Sequence, residues 1–277
     1  MLSMNYAATA FSSVRDTFKK YEAIFRVNVK AQIAYRGIVL ETVFYYGMEC
    51  VLLLFLWRAI YSGNASLYGR TFPKMKGYLL ASTAFSSFYC YPSIHFLSQD
   101  IRNGEIAYTL LRPIDFQTQF IFKNLGRILS TMLVILPIYL LFSLLFRALP
   151  GGNLYFTGSS LAMGILLCVS FDFLLGVLCF WTENSWGVSL IRQIALQYLS
   201  GAFVPLDCFP PQIAKVLLDY FPFSGIVFFP VQFATRQFPT TYFLDRMKIQ
   251  AAWCLAFLIL GRILYLLVRK ITTVNGG

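Results

Sequence analysis

Long apolar runs separated by short polar segments dominate the chain. Runs near the ~20 residues needed to cross a hydrocarbon core fall at about 38–61, 76–97, 128–149, 159–182, 186–205 and 249–268. Hydrocarbon offers no partner for backbone amides, so a spanning segment is a helix or part of a closed barrel, and continuous runs without period-two alternation select helices. The pattern predicts an all-α integral membrane protein, a single transmembrane domain over 1–277, with six transmembrane helices and both termini on one side. Ahead of the first run the period changes. Val14, Phe18, Tyr21, Phe25, Val29 and Ile33 share an arc of about 100°, and Arg15, Lys19, Arg26 and Lys30 flank it. An N-terminal amphipathic interfacial helix over 14–36 is expected, its apolar face on lipid and its cations toward phosphates. Two segments stay irregular, 98–127 and 203–245. The second holds Pro205, Pro210, Pro211, Pro222, Pro230 and Pro239. It is too apolar for a solvated loop and too broken for a span, which predicts short re-entrant helices before the sixth span, buried against protein.

Composition narrows the class. The chain is 58% hydrophobic and 13% charged, too apolar for a water-covered domain. Its net charge of +11 sits beside apolar runs, so membrane lipid is the expected partner and not nucleic acid. The termini with the segments 98–127 and 183–192, together with Arg262 near the inner end of the sixth span, hold 14 of the 23 Lys and Arg residues, which places them in the cytoplasm. Residues 1–37 carry six of these cations and no continuous apolar core, so no cleavable leader is expected. Cys50, Cys90, Cys168, Cys179 and Cys254 lie in apolar runs and read as small core residues, with Cys208 alone near a surface.

Several chemistries lack their residues. No Gly is followed by Lys, so the chain has no phosphate-cradling loop of the GxxxxGK[ST] kind. A single histidine and no Cys/His cluster predict no metal site. His95 and Asp100 stand as HFLSQD, a spacing that resembles the membrane-bound glycerolipid acyltransferases, but no companion glycine and arginine block accompanies it. Glu49 and Asp172 fall near the middle of spans, and Arg192 and Gln193 enter the fifth from its inner end. An ionisable group at such depth must face protein or a wet cavity, and it is either functional or a hydrogen-bonded core group. A proton-coupled secondary transporter would use Glu49 and Asp172 as its relay. That class commonly shows two related halves, which this chain does not.

The inner loop reads RNGEIAYTLLRPIDFQ, the fifth span leads into LSGAFVPLDCFPP, LDYFPFSGIVFFPVQ follows, and the chain closes on VNGG. In this order, after a basic amphipathic lead-in, these segments resemble the permease subunits of ABC exporters of the type 2 class over nearly the whole chain. The resemblance implies a non-enzymatic transport subunit of the plasma membrane, bacterial, that pairs with a second permease, identical or related. Beneath the pair sit two ABC ATPase subunits that hold ATP and Mg, with no cofactor on this chain. It further implies export of an amphipathic small molecule, peptide or lipid, and a cytoplasmic coupling helix between spans 2 and 3. The residues suit that role: Gly104 permits a tight turn, Glu105 to Leu111 can form a short helix with its acid at the positive end, and Pro113 stops it. Ile106, Leu110 and Leu111 would form a contact face, with Arg102, Glu105, Arg112 and Asp115 pairing to charges on the ATPase. The turn TENSWG at 182–187 would add Glu183, with Asn184 or Ser185 capping the fifth span. Gln193, Gln197 and Ser200 form a polar stripe suited to a transport path beside Glu49 and Asp172, although bonding between helices would look the same. Pro205, Phe209, Pro210, Phe221, Pro222 and Phe223 would form an outer apolar gate that seals by excluding water.

Overall fold

The computed structural model describes residues 19–31, 34, 36–63, 66–67, 69–89, 93–112, 114–148, 150–182 and 185–268. They fold as helices almost throughout: α1 (19–31), α2 (Arg36–Ile60), α3 (Phe72–Ser87), α4 (Ser93–Arg102), α5 (Ile106–Leu110), α6 (Phe116–Leu145), α7 (Leu154–Thr182), α8 (Ser185–Ile194), α9 (Pro211–Asp219), α10 (Phe228–Thr235) and α11 (Thr240–Val268). The one sheet among them is an antiparallel hairpin, Ser66–Leu67 with Arg70–Thr71, closed through Gly69 at φ +68°.

Among the described residues, four helices are long and apolar enough to cross a membrane: α2 from Val39, α6, α7 and α11. The other two expected spans differ. The run 76–97 is divided between α3 and α4, and Pro92 in the intervening sequence lacks the amide a continuous helix needs. The run 186–205 is α8 followed by a π-helical turn, Ala195–Leu199, that ends before Gly201 at φ +82°. A Cβ there would meet the Tyr78 hydroxyl and Phe228 at 3.0–3.1 Å, so the turn needs glycine on both counts. The expected starts at 128, 159 and 249 lie inside helices that begin earlier. Hydropathy marks only the part matched to hydrocarbon, whereas amide pairing continues into polar sequence. Asp115 starts α6 by accepting from Thr118 N at 3.0 Å, and Asn153 starts α7 by accepting from Tyr155 N at 2.9 Å.

The bundle is built around α7, which packs against α11, α10, α4, α6 and α8. Small residues permit the approach. A Cβ on Gly164 would sit 2.8 Å from the Gly225 carbonyl oxygen, and one on Gly261 of α11 would sit 2.8 Å from Phe173 Cδ1. Buried Gln250 of α11 donates to Gly225 O at 2.6 Å and Ser160 O at 3.2 Å, and Ser160 Oγ donates back to its Oε1 at 3.2 Å. Between 203 and 245 the chain makes a 3-10 turn (Leu206–Cys208), α9, a second 3-10 turn (Phe223–Gly225) and α10. The axes of Pro211–Asp219 and Phe223–Thr235 bend by 74°. From Phe228 to Ala234, α10 is buried, against α7 and α3.

Tyr21 and Phe25 of α1 are half-buried while Lys19, Arg26 and Lys30 are exposed. The apolar face meets α6 instead of lipid alone: Tyr21 stacks on Phe122 at 5.3 Å, and Gly126 leaves room for the Phe25 carbonyl, which a Cβ would approach to 2.6 Å. Residues 14–18, 32, 33 and 35 of the expected helix lie outside the described residues.

Gly164→Ala should destabilise the protein by about 1–3 kcal/mol, because backbone cannot retreat from the added methyl. Gly158→Ala, where no atom lies within 4 Å of the new Cβ, should leave stability unchanged or raise it by up to ~1 kcal/mol through helix propensity. Melting of the purified chain in detergent distinguishes the two signs.

Candidate functional site

Asp172 lies in the apolar middle of α7 and Arg192 in α8, each of them alone a costly buried charge. The fold brings them together. Arg192 Nε donates to Asp172 Oδ1 at 2.5 Å and Nη2 to Oδ2 at 2.9 Å, a two-pronged pair with Asp172 only 4% exposed. Ser93 Oγ, at the start of α4, donates to Oδ2 at 2.9 Å. Arg192 Nη2 also donates to the Tyr89 carbonyl at 2.9 Å, just past the end of α3. The Tyr89 hydroxyl in turn donates to Ile226 O at 3.1 Å, next to the second 3-10 turn. One ion pair therefore ties α7, α8 and both sides of the α3–α4 break, the guanidinium through the Tyr89 carbonyl and the carboxylate through Ser93, and Tyr89 extends the tie to the segment before α10. A carboxylate engaged by two guanidinium bonds and a hydroxyl has its acceptor sites filled from within the protein, which suits a structural node better than a proton relay.

The other expected path residues do not converge on this pair. Glu49 is half-buried on α2, which packs chiefly on α3 and α6. Gln193 is exposed and Gln197 half-buried, but Ser200 turns inward and its hydroxyl donates to Leu196 O. The polar stripe is broken because the π turn inserts extra backbone and shifts the phase of residues beyond Ala195.

At the opposite end a second polar cluster holds the 203–245 segment. Arg70 of the hairpin, 1% exposed, donates from Nη2 to Asp207 Oδ2 at 2.5 Å, and Gln232 Nε2 of α10 reaches the same oxygen at 3.4 Å. Arg70 lies over the Tyr78 ring at 4.8 Å, and the Tyr78 hydroxyl donates to Gly201 O at 2.7 Å. Among the expected gate residues, Pro205, Pro222 and Phe223 are buried, Phe209 is half-buried, and Pro210 and Phe221 are exposed. Phe223 packs edge-on against Phe171 of α7 at 5.1 Å. The six thus divide between core and surface.

Toward the other end, α4 stops at Gly104, whose φ of +74° makes the tight turn, and α5 follows. Glu105 precedes α5 without capping it. Ile106 is buried in the bundle and cannot serve as a contact residue, whereas Tyr108 and Leu111 are 74% and 81% exposed. Arg102, Glu105 and Arg112 are exposed as well. Pro113, Glu183 and the Leu110 side chain lie outside the described residues. Asp115 has work within the chain: it caps α6 and pairs with Arg262 of α11, and its amide donates to the Tyr21 hydroxyl at 3.1 Å. Partial burial pushes its carboxyl up, but the bonds from Thr118 and Arg262 outweigh this and hold it below the usual carboxylate range. His95 and Asp100 do not form a dyad. Five residues along a helix turns them about 140° apart; His95 meets Ser185 Oγ at 3.3 Å and Asp100 meets Lys123 at 3.8 Å.

Ser93, the Tyr89 carbonyl and the Arg70–Asp207–Gln232 cluster escaped sequence reasoning. Arg192 in an apolar run was the available signal for the first two, but partners 20 or 137 residues away carry no spacing rule.

Residues 48–273 match the family model described as ABC-2 family transporter protein. No curated protein matches the sequence.

Arg192→Met should cost about 3–5 kcal/mol by stranding a buried carboxylate, and Asp172→Leu with Arg192→Met should cost less than the sum of the two single changes. Denaturation midpoints of the four proteins give the coupling. For Asp115 the folded pKa lies below the unfolded one, so its stabilisation is present above the unfolded value and fades as pH falls through the folded value. The melting difference between wild type and Asp115→Asn should therefore be full at pH 7 and shrink below about pH 4.

Proposed function

The chain belongs to the ABC-2 transporter family, as a membrane-embedded transport permease, and on that premise we propose that it forms the path of an ATP-driven exporter and couples it to a separate ATPase. In this reading α3–α4 and α8 with its π turn complete six spans, and both termini face the cytoplasm with α5. ATP and Mg reside on two ATPase subunits beneath a pair of permeases, identical or related. The cargo is an amphipathic small molecule, peptide or lipid, moved outward.

The surface of α5 carries the proposal. Tyr108 and Leu111 protrude from a five-residue helix that buried Ile106 anchors in the bundle, and exposed Arg102, Glu105 and Arg112 surround them. Apolar side chains ringed by charge on a rigid support have the make-up of a protein contact. A push on α5 has a physical route upward: α4 follows without a break beyond the Gly104 turn, and its first residue is the Ser93 that bonds Asp172. Closure of the ATPase pair would thus bear on the ion pair that fixes α7 to α8.

The proton-coupled alternative is weakened because Asp172 is bound to Arg192. The acyltransferase reading is weakened because His95 and Asp100 have separate partners.

Affinity purification of the tagged chain in mild detergent, followed by mass spectrometry, tests the proposal. Wild type should retain an ABC ATPase. Glu105→Lys with Arg112→Glu, and separately Leu111→Asp, should reduce it by about tenfold or more, as loss of a contact hot spot does. His95→Ala should retain it in full and transport at near wild-type rate. An ATPase held equally by all variants would remove α5 from the contact, and none held by wild type would remove the exporter reading.

A further inference from the structure

We propose that a crevice between α4, α5 and α6 binds a phosphate group, supplied by the headgroup of a membrane phospholipid. The crevice encloses about 40 Å³, more than the ~10–15 Å³ that one water requires. Lys123 and Arg127, two turns of one α6 face, supply cations to its wall, and Asp100 of α4 supplies an acid. Lys123 Nζ stands 3.8 Å from Asp100 Oδ2, within range of attraction but beyond a hydrogen bond, so its N–H groups are not taken up by that acid. The Arg127 guanidinium lies over the Phe96 ring at 5.7 Å, which fixes its plane at the edge of the crevice.

Gln119 is an independent sign of a ligand. It lines the same crevice one turn before Lys123, is 7% exposed, and its buried Oε1 has no hydrogen-bond partner among the described residues. A buried amide oxygen on a residue that lines a cavity calls for a donor. Two cations beside two acceptors, Asp100 and Gln119, suit a phosphate carrying an ammonium or hydroxyl group a few bonds away. Phosphatidylethanolamine and phosphatidylglycerol have that arrangement, whereas the quaternary ammonium of phosphatidylcholine offers no N–H or O–H.

Depth favours a lipid over free phosphate as the source. The 30 residues of α6 rise about 45 Å, against a hydrocarbon core of ~30 Å. Arg127 is the last charged residue on α6, and Ile128 to Leu145 hold no Asp, Glu, Lys or Arg. Those 18 residues account for about 27 Å of the core, which sets the crevice at the headgroup boundary. Ile106 and Thr109 of α5 form another wall, so an occupant braces α5 from behind. The inference needs a membrane but not the ATPase contact, and its test is separate.

The delipidated full-length chain is melted in detergent with added phosphatidylglycerol, phosphatidylethanolamine, phosphatidylcholine or inorganic phosphate. Wild type should gain roughly 3–5 °C with the first two and little with phosphatidylcholine. Lys123→Gln with Arg127→Gln should lose that gain. Lys20→Gln with Lys30→Gln, an equal charge change on exposed positions of α1, should keep it. A gain with inorganic phosphate alone, lost in the same variant, supports the phosphate site while assigning it a free anion. Equal melting of wild type in all four additions overturns the proposal whatever the variants do. Equal loss in both variants overturns it in favour of diffuse attraction to the basic surface.

Discussion

The bond between Asp172 and Arg192 is the constraint on which the rest of the bundle depends. A chain in hydrocarbon must satisfy every amide and carbonyl from within, yet this one breaks the helix of its second expected span between Ser87 and Ser93. Arg192 answers the break, because the guanidinium that neutralises Asp172 also takes the Tyr89 carbonyl, and Ser93 on the far side donates to the same carboxylate. Either charge alone would be expelled from this depth or neutralised. Together they cost little, and the planar fork of arginine lets one side chain reach an acid and a carbonyl, which a lysine could not do with fixed geometry.

Around that node, the packing follows from small residues and local hydrogen bonds. Lipid exerts no hydrophobic drive between helices, so contact area and polar bonds carry the association. Gly164 and Gly261 remove the side chains that would hold α7 apart from its neighbours, and Gln250 bonds α11 to α7 and to the turn before α10. The Arg70 cluster does the same at the other end, holding the bent segment to α3 and the hairpin. The bent segment is thereby made part of the core, with α10 buried through most of its length.

In the proposed exporter, the same arrangement would supply the coupling. The α5 helix projects beyond the bundle but is rooted by Ile106, and α4 connects it directly to the Asp172 node. Rigid short elements and a tightly bonded junction transmit displacement, because packed cores shift between discrete arrangements instead of deforming smoothly. The polar crevice behind α5 lies on this line, walled by α4, α5 and α6.

Sequence alone determined the class, the helical character, the positions of the apolar runs, the Gly104 turn with its short helix, and the broken region ahead of the last long helix. Each is a local property, set by hydropathy over a span's length, by proline's missing amide or by glycine's freedom at positive φ. Sequence also marked Asp172 and Arg192 as residues too costly to be idle, but not as each other's partners. Tertiary structure decided that pairing. It also drew Asp115 inward to Arg262, buried Ile106 while exposing Leu111, turned Ser200 off the polar stripe through a π turn, and divided the six gate residues between core and surface. The physical reason is common to all of these. Hydropathy states that a group must be buried or satisfied, while which group satisfies it depends on how helices far apart in the chain are brought together in space.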